Sequence, residues 1–440
     1  MLYFLVQPGS RLYYRKFSIR GLENFPKKNL PTILISNHQN GMMDAIMLCI
    51  TAPRQLHFLT RADIFKNPRM SKILRSLNML PVYRERDRVG NLVEENAAIF
   101  EEAHRRVAAG NLLALFPEGN HNNQKCIRPF RKGVSRVAIG SLETLDFKEE
   151  VYIVPVGLDY SNYTDFQSDL LLSFGPPIPT KQFADSYRQE PAKTLNLISK
   201  LAYEGLKEQC INIEDKKNYS TIKNLLPLCM VIEGNGRIPK KHYDRLKSSQ
   251  RATAVMSDLL QSPDADSFMA LAKSFLQLAE KLEIDVALLN TRGSFMRDFA
   301  RFIAVPLLFI PIMTGVVLNF IPALLVTSFV KKKVRDPHFK SSITLGLGVF
   351  VFPVFWLFFS LLAWLFTSSL LITFATPLAA LICGFITSHV WNGQKKVTAQ
   401  SKIVRARKRK SADFTELMRL NKELISLLNQ HKIRFDVQEN

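Results

Sequence analysis

From Ser341 through Gln394 the chain contains no Asp, Glu, Lys or Arg. That length suits two membrane crossings of about 20 residues each. A second uncharged stretch runs from Phe302 to Val330, interrupted by Pro306, Pro311 and Pro322. These stretches choose between the partners that the charge permits. With 59 Lys and Arg against 38 Asp and Glu, the formal net charge is +21, and a basic excess of this size attracts polyanions, whether nucleic acid or anionic lipid. The apolar stretches select the lipid, so anionic membrane lipids are expected partners and nucleic acid is not.

The flanks orient these segments. Lys331, Lys332, Lys333 and Arg335 precede the long apolar run, and Lys395, Lys396 and the cluster from Lys402 to Lys410 follow it. Basic residues concentrate on the cytoplasmic side, so both flanks are expected there, with helices at 343–366 and 370–391 forming a hairpin. For the rest of the chain to share that side, residues 302–330 must enter and leave by one face. Three prolines with Gly315 suit such a re-entrant helix hairpin. The cluster Arg405, Arg407, Lys408, Arg409 and Lys410 either engages anionic lipid, at roughly 1 kcal/mol per charge near the headgroups, or acts as a topology signal, and the two roles are compatible.

Ahead of the membrane segments, 440 residues with 47% apolar content leave room for one sizeable α/β domain and further elements. From Thr32 to about Leu158 short apolar runs alternate with longer amphipathic ones, the pattern of a mostly parallel sheet flanked by helices. Strands are expected at Thr32 to Ser36, Gln55 to Leu59, Leu80 to Tyr83, Leu112 to Phe116 and Val151 to Leu158, with a helix from Asn91 to Ala109 stopped by Gly110. The Pro-rich segment from Gly175 to Pro179 breaks the pattern, and from about Thr194 to Arg297 the chain is charged, Leu-rich and helical in spacing. The expected plan is an α/β domain at 1–180, a helical accessory region at 181–300, membrane segments at 301–395 and a basic cytoplasmic tail at 396–440.

Cys49, Cys126, Cys210, Cys229 and Cys383 are scattered, odd in number and without CxxC spacing, so neither a disulfide framework nor a zinc site is indicated. Met1 to Ser10 has no basic region ahead of a long apolar stretch, which argues against a cleaved signal peptide. An integral membrane protein with its catalytic part in the cytoplasm is expected.

Three strand ends carry residues capable of chemistry. The first continues as Asn37-His38-Gln39-Asn40-Gly41-Met42-Met43-Asp44, at the carboxyl end of a strand, where ligand sites form in open α/β sheets. A neutral imidazole can take a proton from a hydroxyl while a carboxylate fixes its tautomer. Six residues of helix would not bring the two together, so the loop must bend Asp44 back to His38. A strand-end histidine beside a helix-capping Asp fits this block alone equally well. The second end, Tyr83-Arg84-Glu85-Arg86-Asp87-Arg88, offers Arg84, Arg86 and Arg88 as phosphate ligands, or a solvated charged loop. The third, Phe116-Pro117-Glu118-Gly119-Asn120-His121, forces a tight turn, and Phe130-Arg131-Lys132-Gly133 adds charge just before a helix start. Glu118 and His121 are spaced as Glu-x-x-His, but a bridged metal pair needs a second such motif and none is visible, so no metal is expected.

Four blocks in order, Asn37 to Asp44, Val82 to Arg84, Phe116 to Gly119 and Val154-Pro155-Val156, resemble the glycerophospholipid acyltransferase superfamily: its histidine–aspartate, arginine, FPEG and VPV motifs. The resemblance covers about Leu22 to Pro179. It implies a glycerolipid acyltransferase-like fold, His38 as base, Asp44 as its support, and Arg84, Glu118 and Gly119 holding a phosphorylated glycerol acceptor; Lys132, by its charge just before a helix start, is a further candidate to bind that substrate. The second substrate would be an acyl donor thioester, of coenzyme A or acyl carrier protein, with no resident cofactor. Two departures bear on the acceptor. Five residues separate His38 from Asp44 instead of the commoner four, as in the branch acylating glycerol 3-phosphate or dihydroxyacetone phosphate, and Asn120 and His121 follow FPEG where Thr or Ser and then Arg or Ser are usual. Acylation of lysophosphatidate or another lysophospholipid is the alternative within the family. Outside it stand a non-catalytic membrane scaffold and a serine hydrolase, for which no GxSxG elbow is present.

Overall fold

The run Thr32-Ile-Leu-Ile-Ser36 offers no polar face to water, and all five of its residues are buried at the centre of a sheet. The computed structural model describes residues 2–27, 29–84, 91–130, 132–291, 295–409 and 411–435. Arg86, Arg88, Arg131 and Lys410 lie outside the described residues. By contacts the chain divides into two compact units, one of residues 14–211 and one of residues 1–13 with 212–440. Helix α1 (Leu2–Tyr13) belongs to the second.

The first unit runs β1 (Lys16–Arg20), β2 (Thr32–Ser36), α2 (Met42–Thr51), β3 (Leu56–Arg61), α3 (Pro68–Ser76), β4 (Met79–Val82), α4 (Leu92–Ala108), β5 (Leu112–Leu115), α5 (Gly133–Thr144), β6 (Tyr152–Tyr160), β7 (Asp169–Phe174), β8 (Ile178–Pro179), α6 (Ala184–Gln189) and α7 (Pro191–Lys207). Among the described residues the sheet has eight strands in the order β1-β7-β6-β2-β5-β3-β4, with β8 on β6. From β6 to β4 all neighbours are parallel, as expected of strands joined by crossover helices, while β7 turns back antiparallel to β6 and carries β1 in parallel with it. Ile33 lies opposite both Leu113 and Ile153, so the centre of the sheet is a continuous apolar layer. Helices α4, α5 and α7 cover one face through Ala103, Val107, Val137, Leu142, Ile198, Ala202 and Leu206. With α7 in this core, the α/β unit extends to residue 211. At the amino ends of the strands the Arg54 guanidinium donates to the Leu30 and Gly110 carbonyls and to Thr32 Oγ1, which leaves the carboxyl ends of β2 and β5 to form a site.

The second unit comprises α8 (Tyr219–Glu233), α9 (His242–Leu260), α10 (Ala265–Lys281), α11 (Val286–Leu289), α12 (Phe295–Leu307), α13 (Phe309–Lys333), α14 (Lys340–Thr367), α15 (Leu370–Arg409) and α16 (Ala412–Phe435), with α1 against α14. Three helices, at Phe309–Lys333, Pro337–Thr367 and Leu370–Arg409, are long and apolar enough to cross a membrane. The re-entrant hairpin expected over 302–330 is not what the chain forms. Residues 309–333 are one uninterrupted helix, and the break falls at Leu308. Pro311 stands in the first turn of α13, where its missing N–H has no helical partner to lose. Gly315 is no hinge: a Cβ there would sit 2.4 Å from the Cys383 carbonyl oxygen, so this glycine admits the backbone of α15.

Side chains then tie the apolar helices. Gln394 Nε2 donates to the Arg301 carbonyl (2.6 Å), Thr387 Oγ1 to Ile312 (3.2 Å) and Asn319 Nδ2 to Ala380 (2.9 Å). These bonds descend α15 as they climb α12 and then α13, so α13 and α15 run antiparallel. The basic residues Lys331–Lys333 and those beyond Lys395 therefore lie toward opposite ends of this pair, not together as the flanks suggested. Asn319 also accepts from Trp356 Nε1 (3.0 Å), joining α14 to the pair. The segment after 395 is no loose tail either. Helix α15 continues to Arg409, and α16 buries Phe414, Leu417 and Leu424 and bonds Asn421 to Asn290.

Candidate active site

Where β2 leaves the sheet, the Asn37 amide clamps it to β6. Its Nδ2 donates to the Leu158 carbonyl (2.9 Å) and its Oδ1 accepts the Leu158 N–H (2.7 Å), both buried. The next residue, His38, is thereby fixed in backbone position. Its N–H donates to Glu118 Oε1 (3.0 Å) and its carbonyl accepts from Asn122 N–H (3.0 Å). Its ring stacks on Phe116 with centroids 4.0 Å apart, and His121 meets it edge-on at 5.4 Å.

The chain then turns through Gly41, at φ 50 and ψ −129, a region that side-chain-bearing residues avoid. That turn makes the bend which sequence spacing required. Asp44, in the first turn of α2 and fully buried, reaches back so that its Oδ2 accepts from His38 Nδ1 (2.9 Å) and from the N–H groups of Gln39 and Asn40 (2.8 Å each). Its Oδ1 accepts from the Tyr160 hydroxyl (2.8 Å). Four donors converge on one carboxylate at a helix amino terminus, which is how a buried anion is made tolerable. With Nδ1–H committed to Asp44, the lone pair of the imidazole is on Nε2.

Glu118 links two loops. Its Oε1 takes the His38 N–H, and its Oε2 takes Arg128 Nε at 3.0 Å. Burial pushes its carboxyl up from the ordinary value, against the downward pull of the His38 and Arg128 donors. Both oxygens are thus engaged within the protein. Gly119 closes the turn at φ +69, its N–H on the Phe116 carbonyl. Arg84 lies at the end of β4, three places from β2 in the sheet order, with an ion pair to Asp63 at 3.4 Å. The Asn96 side chain fixes it there by bonding both N–H and carbonyl of Tyr83. Lys132 is exposed immediately before α5.

The structure therefore brings His38, Asp44, Glu118 and Gly119 into one cluster, while Arg84 stands at the end of β4 beside Asp63 and Lys132 at the start of α5. Sequence reasoning missed three members: Asn37, Arg128 and Tyr160. Tyr160 had a signal, since a tyrosine at the end of a strand as apolar as Ile153–Leu158 is buried with it and must find its hydroxyl a partner. Its phenol is pushed well above its ordinary value, first by burial and then by the Asp44 charge, so it stays a donor throughout the range in which proteins work.

Comparisons with known proteins fall on this part of the chain. The acyltransferase family model matches residues 16–159. Glycerol-3-phosphate O-acyltransferase 2 of Saccharomyces cerevisiae is 25% identical over 179 residues, 38% of this chain and 23% of that protein. The chloroplastic 1-acyl-sn-glycerol-3-phosphate acyltransferase BAT2 of Brassica napus is 26% identical over 145 residues, 33% of this chain and 38% of that protein. The chain thus matches well under half the length of either relative. Among solved structures, the 1-acyl-sn-glycerophosphate acyltransferase PlsC of Thermotoga maritima aligns at TM-score 0.33 with 21% identity, over 47% of this chain and 80% of that one.

Proposed function

We propose, from the match of residues 16–159 to the acyltransferase family model and the likeness to glycerol-3-phosphate O-acyltransferase 2, that the chain is a membrane-held O-acyltransferase of the glycerophospholipid acyltransferase superfamily that moves a fatty acyl group from a thioester to a hydroxyl of a phosphorylated glycerol. The observation that carries this reading is the His38–Asp44 pair, with its carboxylate held by four donors and its ring nitrogen Nε2 left as base.

In the proposed reaction the acceptor hydroxyl gives its proton to His38 Nε2 as its oxygen attacks the thioester carbonyl. The tetrahedral intermediate collapses, the C–S bond breaks, and the imidazolium returns the proton to the departing thiolate. No acyl-enzyme forms, and the thioester supplies the driving force without nucleotide or metal. Asp44 stabilises the imidazolium in the transition state. Arg84 and Lys132 are the candidates to hold the acceptor phosphate. We place this unit on the cytoplasmic face, now on the larger basic run beyond Lys395, whose helix meets Arg301 through Gln394.

The acceptor we favour is glycerol 3-phosphate, on the five-residue spacing between His38 and Asp44 and the likeness to the yeast protein. The likeness to the Brassica protein supports lysophosphatidate as the second reading. Membranes containing the chain, given labelled acyl-coenzyme A with each acceptor in parallel, decide between them. Label in lysophosphatidate from glycerol 3-phosphate is expected. Label entering only phosphatidate from lysophosphatidate would keep the chemistry and replace the acceptor, and label in neither would overturn the reading.

Tyr160→Phe tests the support of the pair. Without that donor Asp44 Oδ1 is left unpaired in a buried site and the carboxylate is held by three donors instead of four. Turnover falls by about tenfold, the worth of one hydrogen bond to a charged group. A merely structural role would lower the thermal transition and leave the turnover of the folded protein in place.

A further inference from the structure

Helix α3 has nine residues and buries none of them. A helix this short is marginal by itself. What holds it is local: Pro68 starts it, and the Asn67 side chain caps it by accepting the N–H groups of Arg69 (3.0 Å) and Met70 (3.2 Å). It is ordered without having contributed an apolar face to the core. Yet it possesses one. Met70, Ile73 and Leu77 recur at helical spacing and are 46%, 53% and 44% exposed, with Ile64 beside them at 37%. Single exposed apolar residues need no explanation, but a grouped face does.

The charge around that face is of one sign. Between Ile64 and Asn78 there is no Asp or Glu, while Lys66, Arg69, Lys72 and Arg75 are all present and all exposed. The nearest acid, Asp63, is paired with Arg61 and Arg84. An apolar stripe bordered only by cations matches an anionic bilayer surface, which offers phosphates at one depth and acyl chains just below. A second copy of a chain carrying +21 supplies the wrong charge for this face.

We propose that the Met70–Ile73–Leu77 face of α3 docks into an anionic membrane surface, with Lys66, Arg69, Lys72 and Arg75 at the level of the headgroups. The helix follows directly from the carboxyl end of β3, where Asp63 meets Arg84. Docking therefore sets that end of the sheet against the lipid in which an acylated product belongs. The surface stands on its own observations, and its use in catalysis rests on the acyltransferase reading.

The test uses the whole chain in nanodiscs of phosphatidylcholine and phosphatidylglycerol, with a dansyl-bearing amino acid replacing Ile73 and, separately, Lys72, about 100° round the helix and off the apolar face. Quenching by brominated acyl chains is expected at position 73 and not at 72. Trp356, Trp364 and Trp391, all in α14 and α15, report by their own quenching that the chain is inserted. Removing two charges with R69Q/K72Q lowers the docked-to-undocked ratio by about 30-fold at low salt, on roughly 1 kcal/mol for each basic residue at the surface. An unquenched position 73 beside quenched tryptophans overturns the proposal, as does quenching lost whenever a disc holds one chain instead of two. Acyl transfer measured on the same discs separates the two ideas: transfer without quenching at 73 removes the docking surface alone, and quenching without transfer removes the enzymatic reading alone.

Discussion

His38→Ala is expected to lower acyl transfer by about 10²–10⁴-fold, the contribution of one positioned general base. The loss follows from geometry, because the imidazole is the group whose free nitrogen faces away from Asp44. It does not follow from unfolding. The backbone bonds that hold this loop, from His38 N–H to Glu118 and from Asn122 N–H to the His38 carbonyl, involve no side-chain atom of His38, and although the ring gives up its stacking on Phe116, its edge contact with His121 and its bond to Asp44, three donors remain on that carboxylate. The variant should therefore keep the thermal transition of the parent. Acyl transfer by purified membranes, with equal protein confirmed by immunoblot, measures the effect. Transfer within a fewfold of wild type would move the base elsewhere and revive the scaffold reading.

Asp44→Asn has the second large effect, about 10²–10⁴-fold by analogy with the loss of the carboxylate from a hydrolase triad. An amide is nearly the size of a carboxylate, but Asp44 accepts from four donors and an amide can accept with one end only. If its oxygen faces His38 and the two backbone N–H groups, its NH2 faces the Tyr160 hydroxyl, which must rotate to accept. The neutral side chain no longer stabilises the imidazolium of the transition state, so the loss falls on turnover, with KM for either substrate within a fewfold of wild type and the thermal transition kept. Turnover within a fewfold of wild type would mean that Asp44 does not support His38.

Legibility in the sequence followed from how locally each feature is determined. The strand at Thr32–Ser36 was read to the residue, because an apolar run bounded by turn residues has few other uses. Strand β1 was not, since Lys16-Phe-Ser-Ile-Arg20 is a half-exposed edge whose pairing with Asp169–Phe174 spans the whole unit. His38 and Asp44 could be named from their motif, but the means of joining them, the bend at Gly41, is a backbone geometry. Tyr160 is 116 residues from Asp44, so only the fold makes them neighbours, and Arg128, ten residues from Glu118, meets it through a loop of no regular period. Gly315 shows the opposite error. A glycine among prolines suggests a break, yet the same residue allows two helices to approach, and which of these holds depends on α15, more than sixty residues later.

The shared amide of Asn319 has a consequence for how such a chain is made. Synthesis delivers α13 first, when the Gly315 carbonyl of its own helix is a partner already at hand. The Trp356 indole and the Ala380 carbonyl arrive only after α14 and then α15 have been translated. Until then a polar group sits in the middle of an apolar segment with bonds still owing, at a penalty on the order of 1 kcal/mol for each interhelical bond in lipid. The finished trio discharges that penalty and a wrong pairing does not. Asn319 thus favours the arrangement in which all three apolar helices meet over one in which two of them pair alone.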